Sequence, residues 1–66
     1  MKTLAIAGNY REFQDWLINN NQSPKDYIYV QDNNWRGFHN IPIVKIGTWY
    51  KRDDIPVREI EMFINQ

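Results

Sequence analysis

An apolar run, Thr3-Leu4-Ala5-Ile6-Ala7, stops at Gly8-Asn9, and there the pattern of the chain changes. Five such residues ended by a turn residue suit a buried strand. The next segment has helical spacing: Tyr10, Phe13, Trp16 and Leu17 share one face, while Arg11, Glu12, Gln14 and Asp15 take the other. Asn9 stands where a helix N-cap belongs, and Glu12 comes three positions later, the spacing of a capping box. The helix is expected to fray in Asn19-Asn20-Asn21, because Asn is a poor helix former that tolerates left-handed backbone. Pro24 then marks the break. A strand that passes straight into an amphipathic helix constrains the rest, since the helix must cover a sheet and the sheet needs further strands.

Two segments can supply them. Tyr27–Gln31 is rich in β-branched and aromatic residues, and Ile41–Gly47 carries Ile43, Val44 and Ile46, with Pro42 near its start, where a missing donor is tolerable. Between them the polar stretch Asp32–Asn40 is too long for a hairpin turn, and its Trp35 and Phe38 are spaced as in a helical turn. A last helix is expected from about Asp54–Pro56, with Pro in its first turn, Asp53 and Asp54 as its cap, and Val57, Ile60, Phe63 and Ile64 on one face. This order predicts an α/β fold: a minimal Rossmann-like β-α-β-loop-β-α unit with a three-stranded, mainly parallel sheet and two helices, filling residues 1–66 as one domain. The link between the second and third strands is only about ten residues, short of the dozen a parallel crossover needs, so an antiparallel pairing there stays open.

Eight Lys and Arg balance eight Asp and Glu, which excludes binding of nucleic acid by bulk charge and equally an acidic mimic of it. The chain has no cysteine, hence no disulfide framework or thiolate chemistry. No apolar run nears the roughly 18 residues of a membrane span, and Leu4–Ala7 is too short for a signal-peptide core. The expectation is a soluble, cytoplasmic protein. A chain of this size buries only about 60% of its unfolded surface, so three Trp, four Tyr and three Phe must carry a small core.

In open α/β sheets, ligands bind outside the carboxyl ends of the strands. The segments leaving those ends hold Asn9, Tyr10 and Arg11, then Trp35 and Arg36, then Thr48, Trp49, Tyr50, Lys51 and Arg52. Four of the eight basic residues and two of the three tryptophans lie there, and these ten residues are the candidate ligand-binding set. Aromatic faces stack on bases, Arg forks match phosphate oxygens, and a helix N-terminus favours anions. The set therefore suits a nucleotide or another phosphorylated metabolite. Beside it stands the bland reading, in which the aromatics are core and the charges are solvated. Gly8 alone lacks the later glycines of a dinucleotide fingerprint, and no Walker sequence is present. Ser23, the one serine, falls at the opposite end of the sheet, and His39, the one histidine, lies in the long loop. The expectation is no enzyme, no catalytic residues, no cofactor and no metal.

The strand–Gly8-Asn9-Tyr10–helix opening, Trp35-Arg36-Gly37-Phe38 and Ile46-Gly47-Thr48-Trp49-Tyr50 together resemble the very small Rossmann-like proteins of bacteriophage genomes. The resemblance covers the general pattern of the whole chain and includes no catalytic motif. It implies a non-enzymatic binder or inhibitor acting against host defence, and it transfers no functional residue.

Three functions are in competition. The first is sequestration of a nucleotide-type or phosphorylated signal at the carboxyl edge of the sheet. The second is inhibition of a host or defence protein through an aromatic and Arg surface, since interfaces are enriched in Trp, Tyr and Arg. The third, single-stranded nucleic-acid binding, is disfavoured by the zero net charge. A homodimer is also expected: three strands leave two free edges, and Ile18, Ile55, Met62, Trp35 and Phe38 remain as apolar residues without an assigned place. An interface near the carboxyl edge would let two subunits share one ligand.

Overall fold

A computed structural model of the chain describes residues 2–64. Strand β1 (Thr3–Ala7) leads into helix α1 (Tyr10–Asn19), then β2 (Tyr27–Tyr29), β3 (Ile43–Ile46) and helix α2 (Val57–Ile64). Single 3₁₀ turns, Pro24–Asp26 and Trp49–Lys51, precede β2 and follow β3. The three strands form one parallel sheet in the order β2-β1-β3, with Leu4 opposite Ile28 on one side and Ile43 on the other. This is the small α/β unit expected from the order of elements.

β1 is central, and Leu4 to Ala7 are all fully buried. A strand covered on both faces reads as a continuous apolar run rather than an alternation. Ala5 and Ala7 face α1, where their small side chains leave room for Phe13 and Leu17. Leu4 and Ile6 face the other way, against Ile60 and Ile64 of α2 and against Val30, Trp35 and Ile55. The core is thus two thin layers, one on each face of β1.

Both outer strands are shorter than the sequence suggests. β2 stops at Tyr29 instead of Gln31, and β3 begins at Ile43 instead of Ile41. The connection between them is therefore residues 30–42, thirteen residues, which is long enough for a parallel crossover. It runs over the face opposite α1, because its Trp35 packs with Leu4 and Ile6. Moving back across the sheet on the opposite face gives this crossover the same hand as the β1–α1–β2 one. Trp35 takes the place of a crossover helix: it is 3% exposed, meets Phe63 edge-on at 5.5 Å, and donates its indole N–H to the Asp32 carbonyl at 3.0 Å. Ile55, left unassigned by pattern, is likewise buried. Ile18 and Met62 are exposed, but they ride on helices that cover opposite faces of the sheet and form no common patch. Trp16 is half-buried and packs edge-on against Tyr27.

Helix α1 begins as its sequence says, with the Asn9 side chain accepting the Glu12 N–H at 2.9 Å. It ends more sharply than expected. Asn21 adopts φ 54° and donates to the Ile18 carbonyl, while Gln22 donates to the Leu17 carbonyl. These are the two bonds of a Schellman motif with Asn in the left-handed position, so the Asn run closes the helix instead of fraying it. Helix α2 opens with the Pro56 carbonyl accepting the Ile60 N–H at 2.9 Å. Asp54 does not cap it, because its carboxylate is bound to Arg52.

Candidate functional site

β1 sends its chain to β2 on one side and has β3 on the other, so the topological switch lies between the carboxyl ends of β1 and β3. The sequence places an anion-friendly helix start there, and the fold sets the chain's own Glu12 carboxylate beside it, tied to the end of β3. Glu12 turns away from the Asn9 N–H that a full capping box would use. It accepts instead from the Thr48 hydroxyl at 2.6 and 3.0 Å and from the Thr48 N–H at 3.1 and 3.3 Å. Those bonds, the hydroxyl foremost, hold the Glu12 carboxyl below its ordinary range, with Lys51 adding a smaller pull the same way.

The site depends on two glycines. A methyl group on Gly8 would collide with the Thr48 hydroxyl, and one on Gly47 would lie 2.5 Å from a Glu12 oxygen. Gly47 also has φ +57°, a left-handed backbone that costs an L-residue about 1–2 kcal/mol. Gly47→Ala is therefore expected to lower unfolding stability by about 2 kcal/mol, from backbone strain plus displacement of Glu12, measured by urea titration. A loss below the strain alone would show that Glu12 relocates freely.

A second ion closes the neighbouring gap. After the 3₁₀ turn, Arg52 swings back over the ends of β1 and β2 with its side chain 7% exposed. All five of its N–H groups have partners. Nη1 donates to the Ala7 carbonyl at 2.8 Å and the Tyr29 hydroxyl at 3.1 Å; Nη2 donates to the Val30 carbonyl at 3.2 Å. Nε and Nη2 complete a fork onto the two Asp54 oxygens at 2.6 and 2.8 Å. The Arg52 fork holds the Asp54 carboxyl below its usual range, and Asp54 in turn raises the guanidinium.

Both carboxylates are thus harder to protonate in the folded chain than in the unfolded one. The native state binds fewer protons, so their stabilisation is complete above the ordinary values, 4.5 for Glu12 and 3.8 for Asp54, and is lost as pH falls through the depressed ones. Urea midpoints are expected to change little from neutral pH to about pH 5 and to fall steeply below it, less steeply in Glu12→Gln, which carries no such proton. Equal slopes in the two proteins would remove Glu12 from this account.

What remains outward is aromatic and basic. Tyr10 is 54% exposed and stands edge-on to Tyr29 at 5.2 Å; Tyr50 is 64% exposed and stands edge-on to Trp49 at 5.8 Å. Arg11 and Lys51 are exposed and form no salt bridge among the described residues. Trp49 is half-buried, with its ring against the Leu4 cluster and under the Lys45 ammonium at 4.6 Å, and Lys45 pairs with Glu61. Of the ten candidates, Asn9, Tyr10, Arg11, Thr48, Trp49, Tyr50, Lys51 and Arg52 follow the carboxyl ends of β1 and β3 and lie on one edge. Asn9, Thr48 and Arg52 serve the fold there. Trp35 is a core side chain, and Arg36 lies over its ring at 4.8 Å while bonded to Asn33. Pattern missed Glu12, Tyr29 and Asp54. Glu12 and Asp54 gave a signal only as expected helix-capping groups, and Tyr29 gave none.

The described residues enclose no pocket, hold no group of three His, Asp or Glu placed around a common metal position, and include no helix long and apolar enough to cross a membrane. The fold and edge define a minimal three-layer α/β unit whose switch-point crevice is occupied by its own ions. No family model matches the chain, and neither does any curated protein or solved structure.

Proposed function

We propose that this protein is a non-enzymatic binding module that docks a protein partner on the carboxyl edge of its sheet, through Tyr10, Arg11, Tyr50 and Lys51. The observation that carries this reading is the filled crevice. A phosphorylated ligand seated at the strand ends must displace Glu12 from Thr48 or Arg52 from five bonds, whereas a partner surface needs neither. Two exposed tyrosines and the exposed Arg11 are of the residue types that anchor protein interfaces. The partner surface they fit carries carboxylates around an apolar centre. The resemblance to small phage proteins implies a binder or an inhibitor and does not choose between the two.

The test is site-specific photocrosslinking in lysate of the source organism, from probes at Tyr10 and Tyr50, with Ile18 as a control position on the outer face of α1. One protein adduct from both edge positions, none from Ile18, and loss of the adduct from the Tyr10 probe in Tyr50→Ala/Lys51→Ala is the expected result. Nucleotide-type ligands that raise the melting temperature, with no protein adduct, would replace this reading with sequestration of a small signal.

A further inference from the structure

The two free edges of the sheet are treated differently by the chain. The Leu4 N–H bonds the Pro42 carbonyl and the Val30 N–H bonds the Ala5 carbonyl. With the strand registers, these bonds orient every backbone group of the outer strands. Residues 28 and 30 of the β2 side face β1, so Tyr27, Tyr29 and Gln31 face away. Residues 42, 44 and 46 face β1, so Ile43 and Lys45 of β3 face away.

On the β2 edge the outward groups are largely taken. The Tyr27 N–H bonds the Pro24 carbonyl. The Asn34 carboxamide accepts the Gln31 N–H at 3.1 Å and donates to the Tyr29 carbonyl at 2.8 Å, presenting the same donor and acceptor that a neighbouring strand would. On the β3 edge, no described residue bonds the N–H or C=O of Ile43 or Lys45. Edges are blunted by shortness, as in the four-residue β3, and commonly by an outstretched lysine. Here Lys45 folds back onto the α2 face, held by Glu61 and the Trp49 ring.

We infer that the free edge of β3 pairs, antiparallel and about a two-fold axis at Val44, with β3 of a second copy of this chain. An array of unpaired N–H and C=O groups fits only an extended strand, and this strand is complementary to itself. In that register Ile43 and the partner's Lys45 exchange both backbone bonds, as do Lys45 and the partner's Ile43. Val44, half-buried on the α1 face, meets the partner's Val44 at the close, non-hydrogen-bonded position. The one charge on the edge brings its counter-ion with it, so no like charges oppose each other. Centring on Lys45 would set two lysines face to face. The result is a continuous six-stranded sheet. Antiparallel pairing sends the two carboxyl edges to opposite ends, so the dimer offers two separate Tyr10–Tyr50 edges and no ligand site shared across the axis.

The test combines mass and amide exchange over a concentration series. The expected result is about 16 kDa, twice the 8.0 kDa chain, at high micromolar concentration. Protection of the Ile43 and Lys45 amides should rise with concentration, while Val44 and Ile46, bonded to β1, stay protected throughout. Lys45→Pro removes an outward N–H without touching the β1 ladder and should weaken association roughly tenfold or more, with Val44 and Ile46 protection showing that the fold persists. A monomer at every concentration overturns the inference. So does a dimer whose Ile43 and Lys45 amides exchange as fast as in dilute solution, or edge protection that appears only with a different protein bound.

Discussion

Arg52→Ala is expected to lower the stability of the chain by about 3 kcal/mol. A domain of 66 residues has roughly 3–10 kcal/mol of stability in total, so a loss of that size removes much or all of it. The magnitude comes from the groups that the guanidinium leaves behind. The carbonyls of Ala7 and Val30 and the Tyr29 hydroxyl lose a donor at the strand ends, each at about 1 kcal/mol. Asp54 adds little, because its side chain is 59% exposed and water can replace the fork. Arg52→Lys should recover only a fraction, since one ammonium cannot span Ala7, Val30 and Asp54 together. Urea unfolding followed by circular dichroism checks both variants. An Arg52→Ala protein within about 0.5 kcal/mol of wild type would show that the guanidinium bonds exchange for water at no cost.

Trp35→Ala should be as damaging, at about 3–5 kcal/mol, because it empties the space between the 30–42 crossover and α2. Trp35→Phe keeps part of the apolar contact and loses the indole bond to Asp32 and some packed volume, at about 1–3 kcal/mol. The pair also separates core from interface. If Trp35 is only core, Trp35→Phe folds and retains full partner crosslinking from Tyr50. Reduced crosslinking in a folded Trp35→Phe protein would return this residue to the binding surface.

Local rules at successive positions made much of the fold legible. The Thr3–Ala7 run, the Asn9 cap and the spacing of Phe13 and Leu17 each follow from short-range chemistry, and the structure keeps all three. The same is true of the apolar face Val57, Ile60, Phe63 and Ile64. The site was legible only as a neighbourhood. Topology alone sends Asn9–Arg11 and Thr48–Arg52 to one edge, because both segments leave carboxyl ends of parallel strands. It could not say which of those side chains turn inward.

That division has a physical origin. Short-range pattern dictates which segments bury apolar faces and where helices start, since periodicity and caps act over a few residues. The partners of the charged groups follow only from the assembled sheet. Glu12 meets Thr48 across 36 positions of chain, and Arg52 reaches Ala7 across 45. Pairings at such separations exist only once the sheet has brought three strand ends together. Trp35 shows the same dependence: beside Arg36 in a polar loop it has the pattern of a ligand contact, and it becomes core because a crossover without a helix must fill its face of β1 with something large.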